Sequence, residues 1–169
     1  MNSELAQLAS ILELQAPQSR ELALKFSLQC AKRVEHLLED PQVIDCLETL
    51  ERYVAGNASS DCLAKASESA AVLANRHGGS KSIDGCGHAA VSASYGVAKA
   101  VAGKALDAAE YCAYAAVYAS GGSEAVADRE AFESEFTWQI ACLTALSKDV
   151  RMNAAGRSST VSRGSAHHS

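Results

Sequence analysis

The stretch Pro17–Glu39, PQSRELALKFSLQCAKRVEHLLE, decides the fold class. Along it Glu21, Lys25, Gln29, Lys32 and His36 recur at steps of three and four as one polar stripe, while Ala23, Phe26, Cys30, Val34 and Leu37 form the opposite, apolar one. Residues at that spacing share a face only in a backbone that turns about 3.6 residues at a time, so the stretch is a long amphipathic helix.

The same reading extends in both directions. Upstream, Leu5, Leu8, Ile11 and Leu12 give a short first helix over Ser3–Leu14, and Pro17 separates it from the second. Downstream, Asp40-Pro41 is a helix restart, with an Asp N-cap and Pro at the first helical position, and Val43, Ile44, Leu47, Leu50 and Val54 mark the buried side of a third helix that Gly56-Asn57 ends. Ser59, Ser60 and Asp61 cap a fourth helix that runs to about His77, where Gly78-Gly79 stops it. Ser82 or Asp84 opens a fifth through His88, Val91, Tyr95 and Ala98. Gly103, costing roughly 1 kcal/mol relative to Ala inside a helix, marks either a kink in one long helix or the junction with a sixth that continues to Ser120, and two helices are preferred because a continuous one would run over about 50 Å. Gly121-Gly122 closes the sixth, and Ser123-Glu124 begins a last helix carrying Phe132, Phe136, Ile140 and Leu143 to about Lys148. The expectation is an all-α, single-domain bundle of about seven helices over 1–150. A flexible tail is expected over 151–169, too small and polar to bury enough surface to offset its ordering entropy.

Composition narrows the function. Hydrophobic residues make up 48 % of the chain but aromatics only 5 %, the balance being largely Ala, which lets helices approach closely. A net charge of −5 argues against nucleic acid as a partner, since that binding depends on Lys and Arg displacing counterions. Arg151, Arg157 and Arg163 face only Asp149 in the last 21 residues, so the body is more acidic than the whole. Cys30, Cys46, Cys62, Cys86, Cys112 and Cys142 stand singly, without the paired spacing of a zinc site, and no metal or other cofactor is expected. The beginning, MNSELAQLASILELQ, lacks a basic region and an apolar core like those of a signal peptide, and no apolar run nears the roughly 20 residues that span a bilayer. A cytoplasmic protein with free thiols and no membrane contact is the expectation.

No residue set announces an enzyme, and none is assigned as catalytic. His88, in Gly85-Cys86-Gly87-His88, is the first residue to examine, but residues i and i+2 do not face each other on a helix. A Cys86–His88 dyad would therefore need a loop, and a His that hydrogen-bonds a neighbouring helix or lines an interface is preferred. Tyr111, Tyr114 and Tyr118 recur on one side of the sixth helix, with Tyr95 nearby on the fifth. They either cap the rim of the core or form a binding surface, since tyrosine joins a large apolar body to a polar tip. Arg20, Arg33, Glu48, Glu135, Trp138 and Gln139 lie near apolar segments, and an ion pair of Arg33 with Glu48 or Glu135 would be structural. The carboxylates as a group can attract a basic partner.

Several stretches resemble a known family. Arg20-Glu21-Leu22-Ala23, Cys30-Ala31-Lys32-Arg33-Val34 with His36-Leu37, and Asp40-Pro41 are similar to the opening of the bacterial immunity proteins of the Imm-5-like family. Glu48, Tyr53 with Gly56, Gly87-His88-Ala89-Ala90, Tyr114-Ala115-Ala116 and Glu135 to Trp138-Gln139 follow in the family's order, so that the likeness spans about 20 to 146. The chain departs from it in lacking a Trp near Phe26 and Tyr53, an Arg soon after Asp40 and a second His around Ser94-Tyr95. The resemblance implies an immunity protein that binds and neutralises a cognate protein toxin in bacterial competition by occluding its surface. Two other readings stay open: a small enzyme or ligand-binding protein with a His/Tyr-lined pocket around His88, and a homodimer formed through Ala and Tyr faces.

Overall fold

Residues 1–78 and 87–161 are described by the computed structural model, and among them the chain is helical throughout, without a strand. The helices are α1 (Ser3–Ile11), α2 (Arg20–Arg33), α3 (Pro41–Val54), α4 (Ser60–Arg76), α5 (Gly87–Val101), α6 (Ala105–Ala125) and α7 (Glu133–Val161). They pack as one body around α2, which touches α3, α5, α6 and α7. On α2, Glu21 and Gln29 face out while Ala23, Phe26 and Cys30 are buried, and just beyond its end His36 faces out while Val34 and Leu37 are buried.

Local chemistry accounts for the helix starts. The Asp40 side chain accepts a hydrogen bond from the Gln42 amide at 2.9 Å with Pro41 next in line, and Ser59 accepts from the Cys62 amide at 3.2 Å. Each satisfies a donor that the first turn leaves open. Gly103, at φ +75°, supplies the left-handed turn between α5 and α6, which are two helices and not one kinked helix.

Those two helices make the most extensive pairing among the described elements, and Ala89, Ala93, Ala100, Ala105, Ala108 and Cys112 on them are buried in the core. Gly96 lets them close, since a Cβ there would sit 2.6 Å from Cys112 Sγ. The Ala-rich composition is thus spent on backbone proximity rather than on large side chains.

Three boundaries differ from expectation. The second helix stops at Arg33 instead of Glu39, and a 3-10 turn over Glu35–Leu37 follows. Leu37 and Leu38 are both buried, and the tighter turn brings these adjacent side chains into the core. The last helix starts at Glu133 and not at Ser123-Glu124. Gly122, at φ 73° and ψ −169°, breaks α6, and Asp128 then caps a 3-10 turn over Arg129–Phe132 that leads into α7. Finally, α7 passes Lys148, beyond which no proline interrupts it, and runs through Gly156 to Val161. The segment from 151 expected to be a tail is therefore helical to Val161, with residues 151–159 exposed, and 162–169 lie outside the described residues. Ser82 and Asp84, expected to open the fifth helix, lie outside them too.

Candidate functional site

The tyrosine spacing of α6 becomes a surface because two neighbouring elements meet it. His88, exposed in the first turn of α5, lies 5.3 Å from Tyr118, centroid to centroid. Tyr118 is 6.2 Å from Tyr114, and Tyr114 meets Phe132 edge-on at 5.1 Å. Phe132 continues to Phe136, one turn along, at 5.5 Å. The row thus crosses from α5 over α6 to the start of α7, and the break at Gly122 and the cap at Asp128 bring its far end into place.

Beneath this row lies a small apolar cluster of its own, Ala113, Val117 and Phe132, with Tyr114, Ala125, Val126 and Phe136 packed on it. Beside it opens a cleft of about 370 Å³ whose lining includes Met1, Glu110, Tyr114, Arg129, Phe132 and Phe136. The amino group of Met1 lies 3.9 Å from the Glu110 carboxylate at its edge.

The other singled-out tyrosines go elsewhere. Tyr95 stacks on Tyr111 at 5.2 Å with 20° between the planes, and the Tyr95 hydroxyl donates to Asn75 Oδ1 at 2.9 Å. The ring contacts therefore fall into two groups. Cys86 lies outside the described residues, while Gly87 and His88 belong to α5 and so are helical.

A third arrangement joins α2 to α7. Arg33 donates from Nε and Nη2 to the two oxygens of Glu135 at 2.7 and 3.0 Å, and its guanidinium lies 4.5 Å from the centroid of the Trp138 ring. Hydrogen bonding to Glu135 raises the Arg33 pKa further. Glu48 stands exposed on α3, and Arg20 is exposed near Gly103. Gln139 is buried and donates to the Ala109 carbonyl at 2.8 Å, while its own oxygen accepts from Asn2 Nδ2 at 3.3 Å.

The cysteines divide by burial. Desolvation pushes the thiols of Cys30, Cys46, Cys112 and Cys142 up, whereas the exposed Cys62 is shifted down, chiefly by hydrogen bonding with Ser59. Cys62 was legible as a distinct thiol from its place three residues after a Ser cap, a signal that counting it among scattered cysteines passes over. It lines the open groove between α3 and α4, of about 720 Å³, with Arg52, Lys65 and Arg76. Glu110, Phe132 and Phe136 were likewise not singled out as site residues, although Phe132 and Phe136 have the spacing of one helical face.

Among the described residues no group of three His, Cys, Asp or Glu side chains is placed to hold a metal ion, and no helix is long and apolar enough to cross a membrane. The fold defines an all-α helical protein. Compared with known protein families, curated proteins and solved structures, the chain matches none.

Proposed function

We propose that this chain is a cytoplasmic immunity protein that binds a cognate bacterial toxin and neutralises it by covering the toxin's working surface. The observation that carries the reading is the aromatic row from His88 to Phe136, mounted on three packed elements and flanked by carboxylates. From Ala105 to Glu135 the chain holds seven carboxylates and one cation, Arg129. The half-buried Tyr114, Tyr118 and Phe136, seated on packed helices, supply contact area at little entropic cost, and an acidic rim steers a basic partner toward them. A toxin that works on an anionic substrate carries such a basic surface, and occluding it asks no catalysis of the inhibitor. The choice of a toxin as the partner rests on the sequence's resemblance to the Imm-5-like family. The division of the rings into two groups favours a binding face over one His/Tyr-lined pocket.

Co-expression tests the proposal directly. Toxin domains encoded beside this gene are to be expressed in a sensitive host with and without the chain. Growth rescued by the chain, together with a purified complex of the two, is the expected result. No rescue from any neighbouring toxin, despite soluble expression of the chain, would overturn the reading.

A further inference from the structure

We infer that Cys30 of α2 and Cys142 of α7 are a redox-sensitive pair, converted by an oxidising low-molecular-weight disulfide into a crosslink that locks α7 onto the central helix. The pair needs no partner protein, so its test does not depend on the binding reading above.

The register of the two helices sets the cysteines opposite one another. Arg33, at the end of α2, holds Glu135 and covers Trp138 near the start of α7. Toward the start of α2, Lys25, Leu28 and Gln29 share a cleft of about 460 Å³ with Leu146, Asp149 and Val150, further along α7. The two helices therefore run antiparallel. On α7, Glu135, Trp138, Cys142, Leu146 and Asp149 recur at steps of three and four, and on α2 Cys30 lies one turn before Arg33. One turn inward from the Arg33–Trp138 contact thus brings Cys30 and Cys142 to the same level of the seam. Cys112 belongs to another level. Gln139 reaches the Ala109 carbonyl and Phe136 shares a cleft with Ala113, so α6 also runs antiparallel to α7 and Cys112 is level with Phe136 rather than with Cys142. Burial first, and then the neighbouring Cys112 and Cys142 thiols, push the Cys30 thiol up, in keeping with this grouping.

Exposure orders the chemistry. Both thiols are free, but Cys30 is 1 % exposed while Cys142 is half-buried, so the reagent enters at Cys142. The Cys142 thiolate attacks one sulfur of the disulfide RSSR, a mixed disulfide forms, and the departing RS⁻ takes up the proton that Cys142 gave up. The Cys30 thiolate then attacks the Cys142 sulfur and displaces the second RS⁻, which takes up the Cys30 proton. Two protein thiols are oxidised to one disulfide while RSSR is reduced to two RSH. Cys30 needs no contact with solvent for this step, because its target sulfur is delivered across the seam.

The test uses the full chain carrying Cys62→Ser, which removes the exposed competing thiol. It is equilibrated in native buffer with oxidised and reduced glutathione, quenched in acid and mapped by peptide mass. A linked Cys30–Cys142 peptide, formed without urea and with the loss of two hydrogens per chain, is expected. The oxidised chain should unfold about 5–10 °C above the reduced one, reversibly with dithiothreitol, because the bridge closes a long loop. Cys142→Ser, at a half-buried position, should abolish both the linked peptide and the shift. Cys30→Ser should stop Cys142 at the mixed disulfide with glutathione, and Cys112→Ser should leave the bridge intact. Glutathione retained on Cys142 with Cys30 present, a Cys30–Cys112 bridge instead, a link that forms only in urea, or a bridge without effect on the unfolding temperature would overturn the inference.

Discussion

Arg33 and Glu135, 102 positions apart in sequence, are joined by two parallel hydrogen bonds of 2.7 and 3.0 Å that tie α2 to the first turn of α7. The fork of a guanidinium matches both oxygens of a carboxylate, and its flat face lies over Trp138 at the same time. A lysine reaches neither geometry.

Arg33→Lys is therefore expected to lose stability although charge is kept. The Arg33 side chain is 34 % exposed, so solvent screens the pair and the expected loss is only about 1 kcal/mol, or roughly 2–4 °C in Tm. A double-mutant cycle with Arg33→Ala and Glu135→Ala, read by urea unfolding, is expected to give a coupling of similar size. Additive losses in that cycle would show that the contact does not tie the two helices.

Gln139 is the polar group on which the amino-terminal segment depends. Its amide bridges the Ala109 carbonyl and Asn2, and Asn2 also donates to the Phe136 carbonyl at 3.2 Å and caps α1 by accepting from the Leu5 amide at 3.1 Å. Gln139→Leu keeps the volume but removes both bonds, and is expected to cost about 1–2 kcal/mol. Hydrogen exchange should show faster opening of α1 than of α5. A variant as stable as the parent, with α1 equally protected, would refute this.

How far the sequence carried this structure follows from which forces act locally. The stripe of α2, the Asp40 and Ser59 caps and the glycine junction at Gly103 are set by residues within one turn of each other, so spacing and chemistry exposed them. The end of α2 was misplaced because burying Leu37 and Leu38 together is a demand of the tertiary core, which periodicity does not contain. The start of α7 was misplaced because Ser123 and Asp128 both have the chemistry of a cap, and spacing alone does not show that the kink at Gly122 leaves Asp128 to cap the turn that leads into α7. The tyrosine spacing was visible, but the partners were not. That Tyr114 meets Phe132 while Tyr111 meets Tyr95 depends on how three helices are seated.

The close approach of α5 to α6 gives a test of packing. A methyl group at position 96 would collide with Cys112 Sγ, 2.6 Å from the Cβ position. Gly96→Ala is expected to destabilise by about 1–3 kcal/mol, despite alanine's better helix propensity. Cys112→Ala removes the sulfur, so the double variant should recover about 1 kcal/mol relative to the sum of the single losses. Thermal unfolding of the four proteins measures this, and simple additivity would mean that the sulfur is not the obstacle.

Cys62 is expected to be the first of the five described cysteines to react with limiting iodoacetamide. The thiolate is the nucleophile, and the Cys62 pKa lies below the ordinary thiol value through hydrogen bonding with Ser59, aided by Lys65 and Arg52. At a pH below that ordinary value a lowered pKa means a larger thiolate fraction, so the alkylation rate of Cys62 should rise at a lower pH in the folded chain than in urea. Cys30 and Cys112 are buried and their thiols are pushed up, so they should react last and only as the protein opens. Ser59→Ala should slow Cys62 and move its rate profile back toward the unfolded one, while also weakening the start of α4. Peptide mass mapping after timed alkylation distinguishes the sites. Equal labelling of Cys62 in the parent and in Ser59→Ala would show that exposure alone, and not the serine cap, governs this thiol.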